Sequence, residues 1–144
     1  MILNIEDIKN LIPHRHPFLF IDECKIIQMG IEGIGVKTFK SNDIFFMGHF
    51  PGMPIVPGVI LVEAMAQTAG IVVSKQYEQY KDKSVLFMSV SKAKFRKPVY
   101  PNDKILFKIK FINSVKSVYK FSGIALKDDI KVCEAEFSAM ITYK

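Results

Sequence analysis

Residues 57–73 read PGVILVEAMAQTAGIVV and carry the clearest indication of architecture in this chain. Pro57 suits the first turn of a helix, where its missing N–H group costs nothing. From Val59 to about Tyr80 only Gly70 interrupts the pattern, so we predict one long helix. The early part of this helix is apolar on nearly every side, and a helix without a solvated face must be enclosed by other elements.

Polar residues inside this helix argue against a membrane span. The longest apolar run, 55–73, is interrupted by Pro57, Glu63, Gln67 and Thr68. A membrane-spanning helix needs roughly 20 residues almost free of such groups. We therefore expect a buried core helix and no membrane insertion.

Six strand-like runs flank the predicted helix along the chain. They cover residues 18–28, 31–40, 84–97, 104–115, 117–127 and 130–143. A minor helix at 5–11 precedes them. The turns around Asn102 and Asp128 are too short for parallel crossovers. The pattern predicts an α+β fold in which an antiparallel sheet of about six strands wraps one long helix, as a single domain over residues 1–144.

Composition and charge narrow the classes of function. The first residues lack the features of a secretory signal, so we expect a cytoplasmic protein. Cys24 and Cys133 have no metal-ligand spacing and are predicted to be reduced structural thiols. His14 and His16 alone specify no metal site, and we expect none. The net charge of +6 favours an acidic partner, but no nucleic-acid-binding motif accompanies it.

A loop and the predicted helix together contain a possible acid–base pair. The loop at 41–57 is crowded with glycine and proline and contains His49, and Glu63 follows on the helix. Histidine titrates near neutrality and an apolar setting favours the protonated form of a carboxyl group, so the two could act as base and acid. A structural loop histidine and a solvated helix glutamate are the ordinary alternatives. The apolar neighbours of Glu63 leave no polar face around it.

Two further features of the helix bear on this pair. Gln67 lies one turn beyond Glu63 and could orient its carboxyl group, or could equally satisfy backbone groups as a buried amide. The N–H groups of Gly58, Val59 and Ile60 would be unpaired at the helix start. Such groups stabilise a carbonyl oxygen as it gains negative charge, which predicts an oxyanion site.

Three spaced segments resemble the successive motifs of bacterial 3-hydroxyacyl-[acyl-carrier-protein] dehydratases. They are LIPHRHPFL at 11–19, GHFPGMPIVPGV at 48–59 and EAMAQ at 63–67. Residues 94–99 and 101–103 are similar to the family's later strand and turn. The resemblance therefore spans essentially the whole chain.

The resemblance implies a hot-dog fold and the conversion of (3R)-3-hydroxyacyl thioesters on acyl-carrier protein to trans-2-enoyl thioesters. This reaction belongs to type II fatty acid elongation and needs no metal or organic cofactor; lipid A precursors stay open as substrates. The family's catalytic histidine falls on His49 and its acidic partner on Glu63. Because the pair meets across a dimer interface in that family, we expect a homodimer, and a trimer of dimers in the full assembly.

The acyl chain of such a substrate needs an apolar tunnel. Its candidate walls, by composition, are Phe50, Ile55, Val59, Phe87 and Met88. Leu86 occupies a position that is often aromatic in relatives and linked to gating of the tunnel. His16 stands where the family's first motif usually has tyrosine, which affects the mouth of the site.

Four cations are predicted to contact the acidic carrier protein. Lys92, Lys94 and Arg96 recur at period two, so they would project from one strand face, with Lys97 beside them. An ordinary solvated strand face explains the same pattern.

Three alternative functions stay open at this point. A related dehydratase also isomerises the new double bond, but that group has aspartate at the position of Glu63. A hot-dog thioesterase would release a free thiol. A non-catalytic acyl-thioester sensor would bind the ligand without turnover.

Overall fold

A computed structural model describes residues 1–144 as one helix-in-sheet arrangement. The helices are α1 (Ile5–Lys9) and α2 (Gly58–Ser74), and short 3-10 turns lie at Ile44–Met47 and Lys75–Tyr77. The strands are β1 (Ile2–Leu3), β2 (Glu23–Gln28), β3 (Glu32–Thr38), β4 (Lys83–Phe95), β5 (Lys104–Val115), β6 (Val118–Lys127) and β7 (Ile130–Tyr143). They form one antiparallel sheet in the order β1-β2-β3-β5-β6-β7-β4.

The sheet wraps α2 and buries almost all of it. The stretch Gly58–Tyr77 is long and apolar enough to cross a membrane, but 78% of its apolar window is buried inside the protein, as in a core helix. Two strand glycines allow the close approach. A Cβ atom at Gly35 would lie 2.3 Å from Thr68 Oγ1, and one at Gly123 would lie 2.7 Å from the Met65 sulfur. The predicted hot-dog architecture is confirmed.

Several predicted boundaries differ from those in the structure. The strand predicted from residue 18 begins only at Glu23, because the Phe18 carbonyl and the Phe20 N–H bind a side chain of α2 instead of a strand. The sheet has seven strands, since Ile2–Leu3 also pairs with β2. The long helix ends at Ser74 rather than near Tyr80. The short helix predicted at 5–11 ends at Lys9.

The two edges of the sheet differ in length and exposure. β1 has two residues, whereas β4 has thirteen and lies at the other edge. From Leu86 onward every residue of β4 is exposed. The exposed side chains include five large apolar ones: Leu86, Phe87, Met88, Val90 and Phe95. A long apolar edge strand is normally covered by another element or another chain.

Candidate active site

His49 is held by the loop that leads into α2. The Ile55 N–H donates to the His49 carbonyl at 2.8 Å, and the His49 ring nitrogen Nδ1 lies 2.8 Å from the Ile55 carbonyl oxygen. Because a carbonyl oxygen only accepts, this contact places the ring proton on Nδ1 and leaves Nε2 free to accept a proton. The Phe50 ring stacks on the imidazole, with ring centroids 4.1 Å apart.

An open groove of about 380 Å³ lies beside His49 and the start of α2. Its lining includes Ile55, Gly58, Val59 and Phe95. The backbone N–H groups of Gly58 and Val59 have no partner within the chain. Ile60 differs from the prediction, because its N–H donates to the Pro57 carbonyl at 2.9 Å. Two free backbone donors therefore lie at this helix start, not three.

Glu63 is anchored by Gln67, whose amide orientation is set by the backbone. The Phe20 N–H donates to Gln67 Oε1 at 2.8 Å, and Gln67 Nε2 donates to the Phe18 carbonyl at 2.9 Å. The same Nε2 therefore faces Glu63 as a donor and lies 2.8 Å from its Oε2. Gln67 thus fills both roles that its spacing left open: it contacts the carboxyl group and satisfies buried backbone groups.

Within one chain the structure does not bring His49 and Glu63 together. No hydrogen bond or ion pair joins them, and Glu63 does not line the groove beside His49. The apolar residues proposed as tunnel walls are also divided. Phe50 and Ile55 lie at His49, whereas Leu86, Phe87 and Met88 lie along the exposed edge strand β4.

Residues 12–136 match the model of the FabA-like domain family. A 3-hydroxyacyl-[acyl-carrier-protein] dehydratase FabZ of Gluconobacter oxydans is 46% identical over 96% of this chain and 83% of its own length. The FabZ of Caulobacter sp. is 41% identical over 96% of the chain and 86% of its own length. This chain belongs to the FabA-like family, among the FabZ dehydratases. It is therefore a dehydratase.

Two further comparisons involve a longer relative of the dehydratase and a solved structure. The bifunctional enzyme LpxC/FabZ of Porphyromonas gingivalis is 44% identical over 97% of this chain, which spans 30% of that relative. A chain of the dehydratase heterocomplex ApeI:P from Xenorhabdus doucetiae superimposes with a TM-score of 0.75 at 11% identity, covering 95% of this chain and 91% of that one. At such low identity the likeness shows the fold alone.

Two of the four cations predicted to contact a carrier protein form ion pairs with glutamates of the dehydratase itself. Lys92 lies 3.3 Å from Glu136, and Arg96 lies 3.0 Å from Glu134. Hydrogen bonds from Arg96 and from Lys131 lower the pKa of Glu134 to about 2. Arg96 lies beyond the end of β4, so strict strand alternation does not extend to it. Lys94 makes no ion pair, and Lys97 lines the groove beside His49.

In the structure of the dehydratase, His14 lies beside Glu63. The spacing of these residues in the sequence did not predict this contact. His14 Nε2 lies 3.4 Å from Glu63 Oε2. The turn that carries it is braced by the Arg15 guanidinium, which donates to the carbonyls of Lys9, Ile12 and His14. In the sequence, His14 and His16 suggested only a weak metal pair. The contact depends on a turn whose geometry no periodicity describes.

Proposed function

We propose that this dehydratase removes water from (3R)-3-hydroxyacyl thioesters of acyl-carrier protein during type II fatty acid elongation, with His49 as the base and Glu63 as the acid. The observation that carries the assignment is the contact between His49 Nδ1 and the Ile55 carbonyl oxygen. It directs a basic Nε2 away from the loop, which is the state that a general base requires.

In the proposed reaction, His49 Nε2 takes a proton from C2 of the substrate. The electrons of the C2–H bond first pass onto the thioester as an enolate, and they then form the C2–C3 double bond as the C3–O bond breaks. Glu63 gives its proton to the departing hydroxyl group, which leaves as water. The thioester oxygen gains negative charge during the first step, and the free N–H groups of Gly58 and Val59 are suited to stabilise it. A proton then returns from His49 to Glu63 through solvent.

The separation of His49 and Glu63 within one chain supports a site shared by two subunits. The edge strand β4 pairs with β7 on one side only, and it has five exposed large apolar side chains. A second copy of β4 beside it would continue the sheet and cover this surface, as isologous dimers do. We infer that His49 of each subunit acts with Glu63 of its partner, and that Leu86, Phe87 and Met88 reach the acyl tunnel through this interface. Three such dimers would form the hexamer.

The charge distribution supports an acidic protein as carrier of the substrate. The chain has a net charge of +6. Lys97 lines the groove beside His49, and Lys94 is exposed without an ion pair. An acidic carrier protein would be attracted to this edge of the groove, and salt would weaken that attraction. We further propose that the enzyme acts in the cytoplasm.

Product analysis with a 3-hydroxyacyl carrier-protein substrate tests the proposed reaction. We expect the trans-2-enoyl thioester to accumulate with no free thiol and no shift of the double bond. A parallel assay with a plain acyl thioester should give no thiol release. Thiol release from either substrate would assign a thioesterase, and a 3-enoyl product would assign the isomerising reaction. Substrate binding without any product would assign a sensor.

A further inference from the structure

His14 lies against Glu63 in a position that the proposed reaction does not yet use. Its Nε2 is 3.4 Å from Glu63 Oε2, and the exposed fractions of the two side chains are only 13% and 17%. The other ring nitrogen, Nδ1, is buried and has no hydrogen-bond partner. The ring therefore has one polar contact with the chain, and that contact is the carboxyl group of Glu63.

These contacts select one tautomer of His14. A neutral imidazole carries a single N–H, and a buried N–H without an acceptor is unfavourable. A proton on Nδ1 would have no acceptor, whereas Nε2 lies 3.4 Å from Glu63 Oε2. For a neutral ring, the environment therefore favours the tautomer with its proton on Nε2.

Gln67 contacts the same oxygen of Glu63 as a hydrogen-bond donor. Gln67 Nε2 donates to Oε2 at 2.8 Å, and the orientation of this amide is set by Phe18 and Phe20. With the Gln67 N–H bonded to it and His14 Nε2 at 3.4 Å, Oε2 acts as an acceptor. A proton on Oε2 would face the Gln67 donor and the nearby His14 nitrogen, so the protonated acid carries its proton on Oε1.

We propose that His14 is a positioning residue that, with Gln67, confines the proton of Glu63 to Oε1 and presents that oxygen to the leaving hydroxyl group. The inference rests on the proposed function, since it assumes that Glu63 is the acid. The segment 11–19 then contributes to the site in a specific way. The Arg15 guanidinium stabilises the turn, and the turn places His14 beside Glu63.

Two amide substitutions separate positioning from simple space filling. In His14→Gln the side-chain amide nitrogen can occupy the place of Nε2, whereas in His14→Asn it reaches only the place of Nδ1. Removal of a general acid typically lowers kcat by roughly 10²–10⁴-fold. Compared with the wild type, we expect the smaller loss of about tenfold in His14→Asn and of less than about threefold in His14→Gln. KM should stay nearly constant in both, and in a Glu63→Gln background His14→Asn should cause no additional loss.

Equal kcat values for the Gln and Asn variants would overturn the role of His14. If Glu63→Gln itself turned over at the wild-type rate, the acid assignment would fail and the inference with it. If Glu63→Gln were inactive while His14→Asn matched the wild type, only the positioning role would fail.

A spectroscopic measurement needs no substitution and therefore does not depend on folded variants. The chain has three histidines, so ¹⁵N-labelled histidine gives a spectrum simple enough to assign. We expect a protonated Nε2 and an unprotonated Nδ1 for His14, and the opposite pattern for His49. A protonated Nδ1 on His14 would contradict the inference whatever the kinetics of the variants.

Discussion

His49 lies on an irregular loop beside an open groove, whereas Glu63 lies on the enclosed central helix and is held by two side chains. His49 depends on backbone bonds to Ile55 six residues away. Glu63 depends on Gln67, which in turn binds the backbone of Phe18 and Phe20 some fifty residues distant. One group is therefore oriented by local chain geometry and the other by packing of the core. The difference predicts that substitutions on the two sides affect stability and activity in different proportions.

Removal of either proposed catalytic group should have the largest effect on turnover. We expect His49→Ala and Glu63→Gln each to lower kcat by roughly 10²–10⁴-fold, because each removes one of the two proton transfers. Glu6→Gln, at an exposed position in the first helix, serves as the matched control and should be unaffected. Enoyl formation measured on folded variants checks this, and near-normal rates in both active-site variants would refute the assignment.

Mixing the two inactive variants tests whether the two sides meet between chains. A dimer of His49→Ala with Glu63→Gln has one site with both groups intact and one with neither. With random subunit exchange, half of the dimers are mixed and half of their sites work, so activity should recover to about a quarter of the wild type. Each variant alone provides the baseline. Absence of recovery despite exchange, shown by mass spectrometry of tagged subunits, would place both groups in one chain.

Loss of Gln67 should separate stability from activity. Gln67→Leu removes the partners of the buried Phe20 N–H and the partly buried Phe18 carbonyl, which should lower the free energy of unfolding by roughly 2–4 kcal/mol. His49→Ala breaks only a partly buried loop contact and should cost about 1 kcal/mol or less. Denaturant unfolding checks both, with the exposed Gln79→Leu as control. Similar losses for Gln67→Leu and His49→Ala would remove the contrast between core and loop.

The smallest expected effect concerns the ion pairs beside the His49 groove. Arg96 and Lys131 hold the pKa of Glu134 at about 2, below its ordinary 4.5. The pairing therefore stabilises the folded state fully above pH 4.5 and is lost as the pH falls through about 2. Because the pair is exposed, its contribution is small and declines with salt. Glu134→Gln should reduce the change in the free energy of unfolding between pH 4.5 and about 2. An unchanged pH dependence of the unfolding free energy would contradict a stabilising role for these ion pairs.

Strand positions were predictable to within a few residues wherever apolar and polar side chains alternate. The four runs after the helix match β4 to β7 closely, and in β5, β6 and β7 the reason is that buried positions alternate along the strand. The segment before Glu23 was mistaken for strand, since its residues favour β-structure but its backbone binds Gln67 instead. Local propensity does not reveal a distant side chain that competes for backbone hydrogen bonds.

The residues of this chain by themselves indicated a buried helix in an antiparallel sheet, and their motifs indicated the dehydratase family with His49 and Glu63 as its pair. Periodicity and motif spacing are local properties, so one sequence suffices to read them. Tertiary structure alone decided that His49 carries its proton on Nδ1, that Ile60 offers no free N–H, and that His14 contacts Glu63. These facts depend on where carbonyls and side chains from distant segments meet, and chain order does not encode such distances.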